Sequence, residues 1–435
     1  MPTPDAAPAD DLALGDDLRA FVDASPSPGH AVAELARRLT AAGFTELAET
    51  DRWPLSAGGR HFVVRHGSLI AFRLGSGPLG DTGMRLVGAH TDSPTFKVRP
   101  HADVRSAGYR LVGVEPYGGG LWHTWLDREL TVAGRVVLRS SPDRPDTALV
   151  RLPGAPLRFP SLAIHLDRSV REGLTLDPQR HLVPVWDGDL GEEPGLVEAV
   201  AAAVGAGADD VIAHDLVLAD TQPAARAGAD GSWIAAPRLD NLTSCHAGLL
   251  ALLAAPAGER TQVLVCNDHE EVGSGSMAGA RGSFLEDVVR RLATATDPGD
   301  GEAVHRAIAR SRLVSADMAH GVHPTRGERH EPAHQPRLGG GPVVKLNANQ
   351  AYATDATTGG WFRERCAEAG VPVQSFVMRA DLPCGSTIGP LTATRLGIAT
   401  VDVGIAQLAM HSCRELASAL DVPLMVDALA ACFSD

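Results

Sequence analysis

MRLVGAHTD, residues 84–92, is a strand-like run that ends on a histidine and is followed two residues later by an aspartate. Comparable runs recur along the chain. TQVLVCN (261–267) leads into Asp268-His269-Glu270-Glu271, SRLVSAD (311–317) ends on Asp317, and ATVDVGI (399–405) is followed after a short connection by His411. Helical stretches lie between these runs, among them LTSCHAGLLALLAA (242–255) and FLEDVVRRLA (284–293). Alternating β- and α-type periodicity predicts an α/β fold, a mixed sheet flanked by helices on both faces. HAVAELARRLTAAG (30–43) spaces Val32, Leu35 and Leu39 as one helical face and stops at Gly43, so a short helical cap is expected to open the chain.

Residues 101–225 break the alternation. Short β-type pieces (YRLVGVE, LTVAGRVVL, TALVRL) are separated by Gly and Pro clusters, with helical periodicity at LVEAVAAAV (196–204). This predicts a catalytic domain assembled from 1–100 and 226–435, with an inserted mainly β domain at 101–225. The Gly-rich stretches PYGGG (116–120) and LGGGP (338–342) lack the strand-then-helix setting of a phosphate-binding loop.

With 435 residues, 44% of them hydrophobic, the chain can bury a large core; its net charge of −14 opposes phosphate backbones and anionic lipid. Nucleic acid and membrane are therefore not expected as partners. The first thirty residues carry acids where a secretion signal needs a basic start, and no run is long and apolar enough to span a bilayer, so a cytoplasmic protein is expected. Six cysteines without a C-x-x-C pair read as reduced, mostly buried thiols.

Open α/β sheets place ligands beyond the carboxyl ends of their strands, where His90, the Glu270-Glu271 pair, Asp317 and His411 are expected. Asp240, in PRLDNLTSC, begins the helical run after the insertion. Taken singly, each reads as a turn residue or a helix cap. Together, imidazole and carboxylate without cysteine suit a catalytic Zn²⁺ or a similar ion, and one carboxylate can bridge two ions. Of two adjacent glutamates, one can ligate while the other handles protons.

GAHTDSP (88–94), RLDNLTS (238–244), NDHEEVGSGS (267–276), SADMAHGVHP (315–324), LPCGSTIGP (382–390) and MHSCRE (410–415) resemble the aspartyl aminopeptidase family across nearly the whole chain. The insertion resembles it too, through YGGGLWHTWLDREL (117–130) and SLAIHLDR (161–168). The resemblance implies a zinc exopeptidase-like fold holding two Zn²⁺ per subunit, with Co²⁺ or Mn²⁺ as possible substitutes. It implies that Asp240 bridges, that His90 and Asp317 complete one site and Glu271 and His411 the other, and that Glu270 is the general base. Asp92 would accept the second N–H of His90. The substrates implied are peptides with a free N-terminus, preferably Asp or Glu, recognised by Lys345 and His320 together with His165 of a neighbouring subunit. The assembly implied is a homo-oligomer, a dodecamer built from dimers. A cis peptide at Asp240–Asn241 is also implied. Many relatives carry a basic residue where this chain has Ala351, and Thr325–Gly341 matches poorly. Two other readings are a dinuclear amidase or deacylase and a non-catalytic, metal-stabilised oligomeric scaffold.

Overall fold

The computed structural model describes residues 9–141, 144–189 and 194–434, which form three sheets. The largest has nine strands in the order Thr45–Glu46, Arg60–Arg65, Ser68–Arg73, Thr261–Asn267, Met84–His90, Arg312–Ala316, Ala399–Gly404, Val343–Leu346, Gln374–Val377. Four central strands, Thr261–Asn267 to Ala399–Gly404 in that order, run parallel. Antiparallel partners, Ser68–Arg73 and Val343–Leu346, flank them. The sheet is therefore mixed, as the alternation predicts, and the four runs that carry the expected site residues are its centre.

Successive side chains of a strand point to opposite faces, and here each face has its own core. Val87 and Leu264 pack with Leu35, Leu249 and Phe433 beneath the helices Pro28–Ala41, Leu239–Ala254 and Asp421–Ser434. Leu86, Val263 and Leu313 pack on the other side with Val288 and Leu292 of the helix Phe284–Thr296. Every residue of Met84–His90 and Thr261–Asn267 is buried, the state expected of parallel strands covered on both faces.

The helix expected at 30–43 spans Pro28–Ala41, with Pro28 in its first turn and the Ser27 hydroxyl accepting the His30 amide. It does not open the described chain. Ala9–Ala24 is a helix before it, burying Leu18, Phe21 and Val22. Those three have helical spacing, but the acids around them dilute the pattern.

A six-stranded antiparallel sheet takes its strands from Thr95 to Asp220, in the order Arg144–Arg151, Leu130–Ser141, Val211–Asp220, Thr95–Ser106, Tyr109–Tyr117, Val185–Gly188. Its separate core includes Phe96, Val132, Phe159 and Leu218. The third sheet, Ala225–Ala227, Trp233–Ala236, Glu415–Ser418, Ala406–Leu408 and Ala319–His320, continues from the carboxyl ends of the parallel strands. Among the described residues, no helix is long and apolar enough to cross a membrane.

At the end of Ala399–Gly404 the neighbouring chain comes very close. A Cβ on Gly404 would lie 1.8 Å from the Asp317 carbonyl oxygen, and the Asp317 amide bonds Val403 O at 2.9 Å. Backbone cannot retreat as a side chain can. Gly404→Ala is expected to cost about 1–3 kcal/mol through overpacking. Urea unfolding measures it; an unchanged midpoint would show that the contact is not a constraint.

Candidate metal centre

Asn267 and His90 are paired in register, so the turn that follows Asn267 lies beside the last residue of the neighbouring strand. Asp317 directly follows Arg312–Ala316 one strand further on. Asp240 comes from the irregular start of Leu239–Ala254, where Asp240 and Asn241 leave helical φ/ψ and are joined by a cis peptide, as the resemblance implies. His411 sits between Ala406–Leu408 and Glu415–Ser418 of the third sheet.

The two oxygens of Asp240 face different imidazoles. Oδ1 is 3.4 Å from His90 Nε2 and Oδ2 is 3.6 Å from His411 Nε2. Asp317 Oδ1 lies 3.7 Å from His90 Nε2, and Glu271 Oε2 lies 3.5 Å from His411 Nε2. These gaps are long for hydrogen bonds. They suit two ligands of one ion, since donors ~2.0–2.1 Å from a tetrahedral Zn²⁺ sit about 3.3–3.4 Å apart. His90, Asp240 and Asp317 form one group with metal-binding spacing, Asp240, Glu271 and His411 another, and His90, Glu270 and Glu271 a third.

Asp240 Oδ1 and Glu271 Oε1 are buried without a hydrogen-bond partner, a costly state for carboxylate oxygens unless a cation faces them. The electrostatics agree. Burial opposes the charged form of Asp240, yet the His411 and His90 rings outweigh it and hold the carboxyl below its usual range. Burial likewise works against protonated His90, but Asp240, Asp317 and Asp92 push it well above the ordinary imidazole range. His411 is raised to about 10 against burial by Asp240 and Glu271. Burial and then Asp240 push Glu271 well up. Metal-free, the cluster draws protons onto its rings to offset its carboxylates; divalent ions supply that charge with donors they prefer. The residues fit a divalent pair.

Surrounding groups aim the ligands. His90 Nδ1 is 3.0 Å from the backbone oxygen of Asp92, which can only accept, so Nε2 is left for metal. Asp92 Oδ1 also faces His90 Nδ1, at 3.5 Å, and the same carboxylate accepts the Glu270 amide at 3.0 Å, the Glu271 amide at 3.1 Å and the Tyr117 hydroxyl at 2.7 Å. Asp92 thus fixes the turn that carries both glutamates. His411 Nδ1 donates to Gly119 O at 2.9 Å.

Glu270 lies beside the cluster, and burial pushes its carboxyl up to about 7, with His90 pulling down and Asp317, Asp92 and Asp240 adding to the rise. Lys345 is only 2% exposed; its Nζ bonds Asp317 O at 2.9 Å and Met318 O at 3.2 Å and lies 3.7 Å from Asp317 Oδ2. Its donors are directed at the segment bearing Asp317. His320 packs on Phe376 with ring centroids 5.6 Å apart, and burial, then Lys345, lowers its pKa. His165 is exposed on the inserted sheet's 161–168 segment beside the exposed Leu162, Ile164 and Leu166, and belongs to none of the three metal-binding groups.

Glu415 escapes the sequence reading. Its Oε2 accepts the Asp240 amide at 2.9 Å and its Oε1 the His411 amide at 2.7 Å, and burial raises it to about 8. A lone glutamate at a strand start gives no signal beyond its proximity to His411.

The family model described as Aminopeptidase I zinc metalloprotease (M18) matches residues 21–433. A probable M18 family aminopeptidase 2 of Pseudomonas paraeruginosa (strain DSM 24068 / PA7) is 48% identical over 97% of this chain and 98% of its own. Another of that description from Mycobacterium leprae (strain TN) is 49% identical over 96% of this chain and 98% of its own. Among solved structures, the S. cerevisiae mApe1 dodecamer matches with a TM-score of 0.84 and 30% identity, covering 97% of this chain and 96% of that one.

Glu415→Ala leaves the buried Asp240 amide and the part-buried His411 amide without acceptors, at roughly 1–3 kcal/mol for the buried one. Denaturant unfolding is expected to show a loss on that scale, larger than for Glu415→Gln, which keeps one acceptor oxygen. Equal, small losses would mean that the two bonds do not hold the ligand-bearing segments.

Proposed function

The chain belongs to the M18 family of zinc metallo-aminopeptidases, and we propose that it holds two Zn²⁺ per subunit and removes N-terminal residues, preferably Asp or Glu, from peptides. The observation that carries this reading is the Asp240 carboxylate, whose two oxygens face the imidazoles of His90 and His411. His90, Asp317 and Asp240 would hold one ion; Asp240, Glu271 and His411 the other. Co²⁺ or Mn²⁺ would suit the same donors. A divalent pair supplies Lewis acidity, bringing the pKa of water at the site towards ~7 and polarising the scissile carbonyl.

Glu270 takes the proton from the attacking water and returns it to the leaving amine. Burial works against its charged form, which suits a carboxyl that takes up a proton and gives it back. Asp92, accepting the Glu270 amide, keeps the base aimed. Lys345, a buried cation held against the Asp317 segment, and His320, seated on Phe376, would recognise the substrate's acidic group.

His165 would complete the site of a neighbouring subunit, with the inserted sheet serving as dimerisation surface and lid. The exposed apolar residues around it and the likeness to a dodecameric relative support a dodecamer built from dimers. The net charge of −14, which opposes phosphate backbones and anionic lipid, supports an enzyme without nucleic-acid or membrane partners.

Glu270→Gln is expected to keep both metals by elemental analysis while turnover on free N-terminal Asp and Glu peptides falls ~10²–10⁴-fold. Near-normal activity would remove Glu270 from the role, and equal cleavage of N-acetylated peptides would favour a deacylase. His165→Ala and Glu270→Gln subunits, mixed after dissociation, are expected to recover part of the activity each lacks alone. No recovery despite demonstrated subunit exchange would exclude a shared site.

A further inference from the structure

Residues 117–124 leave the inserted sheet at the end of Tyr109–Tyr117 and cross the metal cluster. The Tyr117 hydroxyl donates to Asp92 Oδ2 at 2.7 Å, the oxygen that also accepts the Glu271 amide at 3.1 Å. Gly118, at φ +77°, lies so close that a Cβ there would be 3.1 Å from the Glu271 Cβ. Gly119 O accepts from His411 Nδ1 at 2.9 Å, and the Leu121 amide donates to His411 O at 2.9 Å. Thr124 Oγ1 accepts the Cys413 amide at 2.8 Å, and the Cys413 side chain is buried in the inserted sheet's own core.

The contacts converge on one half of the site. Each ends on Glu271 or His411, on Asp92 where it grips the Glu271 amide, or on Cys413 two residues beyond His411. None ends on the side chain of His90 or Asp317; His90 Nδ1 lies 3.0 Å from Asp92 O and 3.5 Å from Asp92 Oδ1, whereas Tyr117 bonds the other oxygen, Oδ2. Glu271 and His411 both sit on turns rather than inside the large sheet, so much of their aim comes from outside it.

We propose that residues 117–124 form a positioning strap by which the inserted sheet sets metal affinity at the Asp240–Glu271–His411 subsite and not at the His90–Asp240–Asp317 subsite. The strap makes no contact with the reacting atoms in this account; it acts through the ligands it holds. The inference rests on the two-ion reading above. Outer partners of metal ligands typically contribute 10–100-fold in affinity, so loss of one strap bond is expected to lower affinity on that scale at one subsite and leave the other unchanged.

The test is a zinc titration of the full-length, chelator-stripped protein in metal-buffered solution, followed by calorimetry, for the native chain, Tyr117→Phe, Thr124→Val and Thr124→Ser. The native chain binding fewer than two equivalents would overturn the two-ion reading, whatever the strap does. With two bound, the strap predicts that Tyr117→Phe and Thr124→Val each weaken one equivalent about 10–100-fold and leave the other in place. Thr124→Ser, which keeps the acceptor, should restore the native isotherm. Equal weakening of both equivalents, or none, would overturn the proposal. Far-UV circular dichroism of the metal-free forms identifies any variant that has lost its fold, and Thr124→Ser against Thr124→Val then carries the comparison.

Discussion

Asp240 cannot be satisfied by the protein alone. It is buried between two imidazoles that lie beyond hydrogen-bond reach, with Asp317 and Glu271 on either side. Protons on the rings relieve the crowding of negative charge, but only cations between the groups give every oxygen a partner. The surrounding structure keeps those groups converging despite their mutual repulsion: Glu415 ties the amides of Asp240 and His411 together, Asp92 ties those of Glu270 and Glu271, and Gly404 lets Asp317 sit against its neighbour strand.

The fold makes this arrangement possible by geometry more than by chemistry. Parallel strands all end at one edge, so residues separated by hundreds of positions emerge side by side, as His90 and the turn after Asn267 do. The third sheet carries the chain past that edge and returns His411 towards it. The inserted sheet then closes over the far side with its own core and its own bonds to the ligand turns. The metal-binding cluster and the six-stranded sheet are therefore directly connected.

The central strands were legible because they are covered on both faces and so read as apolar runs, each bounded by a residue of unusual character. His90, Glu271 and Asp317 stood at or just beyond those bounds, Asp240 at a helix start and His411 after a further connection, and the structure gathers all five. Other features were silent for physical reasons. The helix Ala9–Ala24 hides its apolar face among acids. The Asp92 carboxylate, besides facing His90, accepts backbone amides that no sequence pattern marks. Lys345 was expected from the resemblance to face substrate, and no sequence pattern marks that its buried ammonium bonds the backbone oxygens of Asp317 and Met318. Glu415 works through two backbone amides, so its role depends wholly on where the chain returns.

Anomalous diffraction at the zinc edge from crystals of the zinc-loaded protein tests the central claim most directly. Two peaks are expected about 3.5–4 Å apart, one on each side of the Asp240 carboxylate, the first near His90 and Asp317 and the second near Glu271 and His411. A single peak, or peaks that leave Asp240 outside their coordination, would contradict the claim.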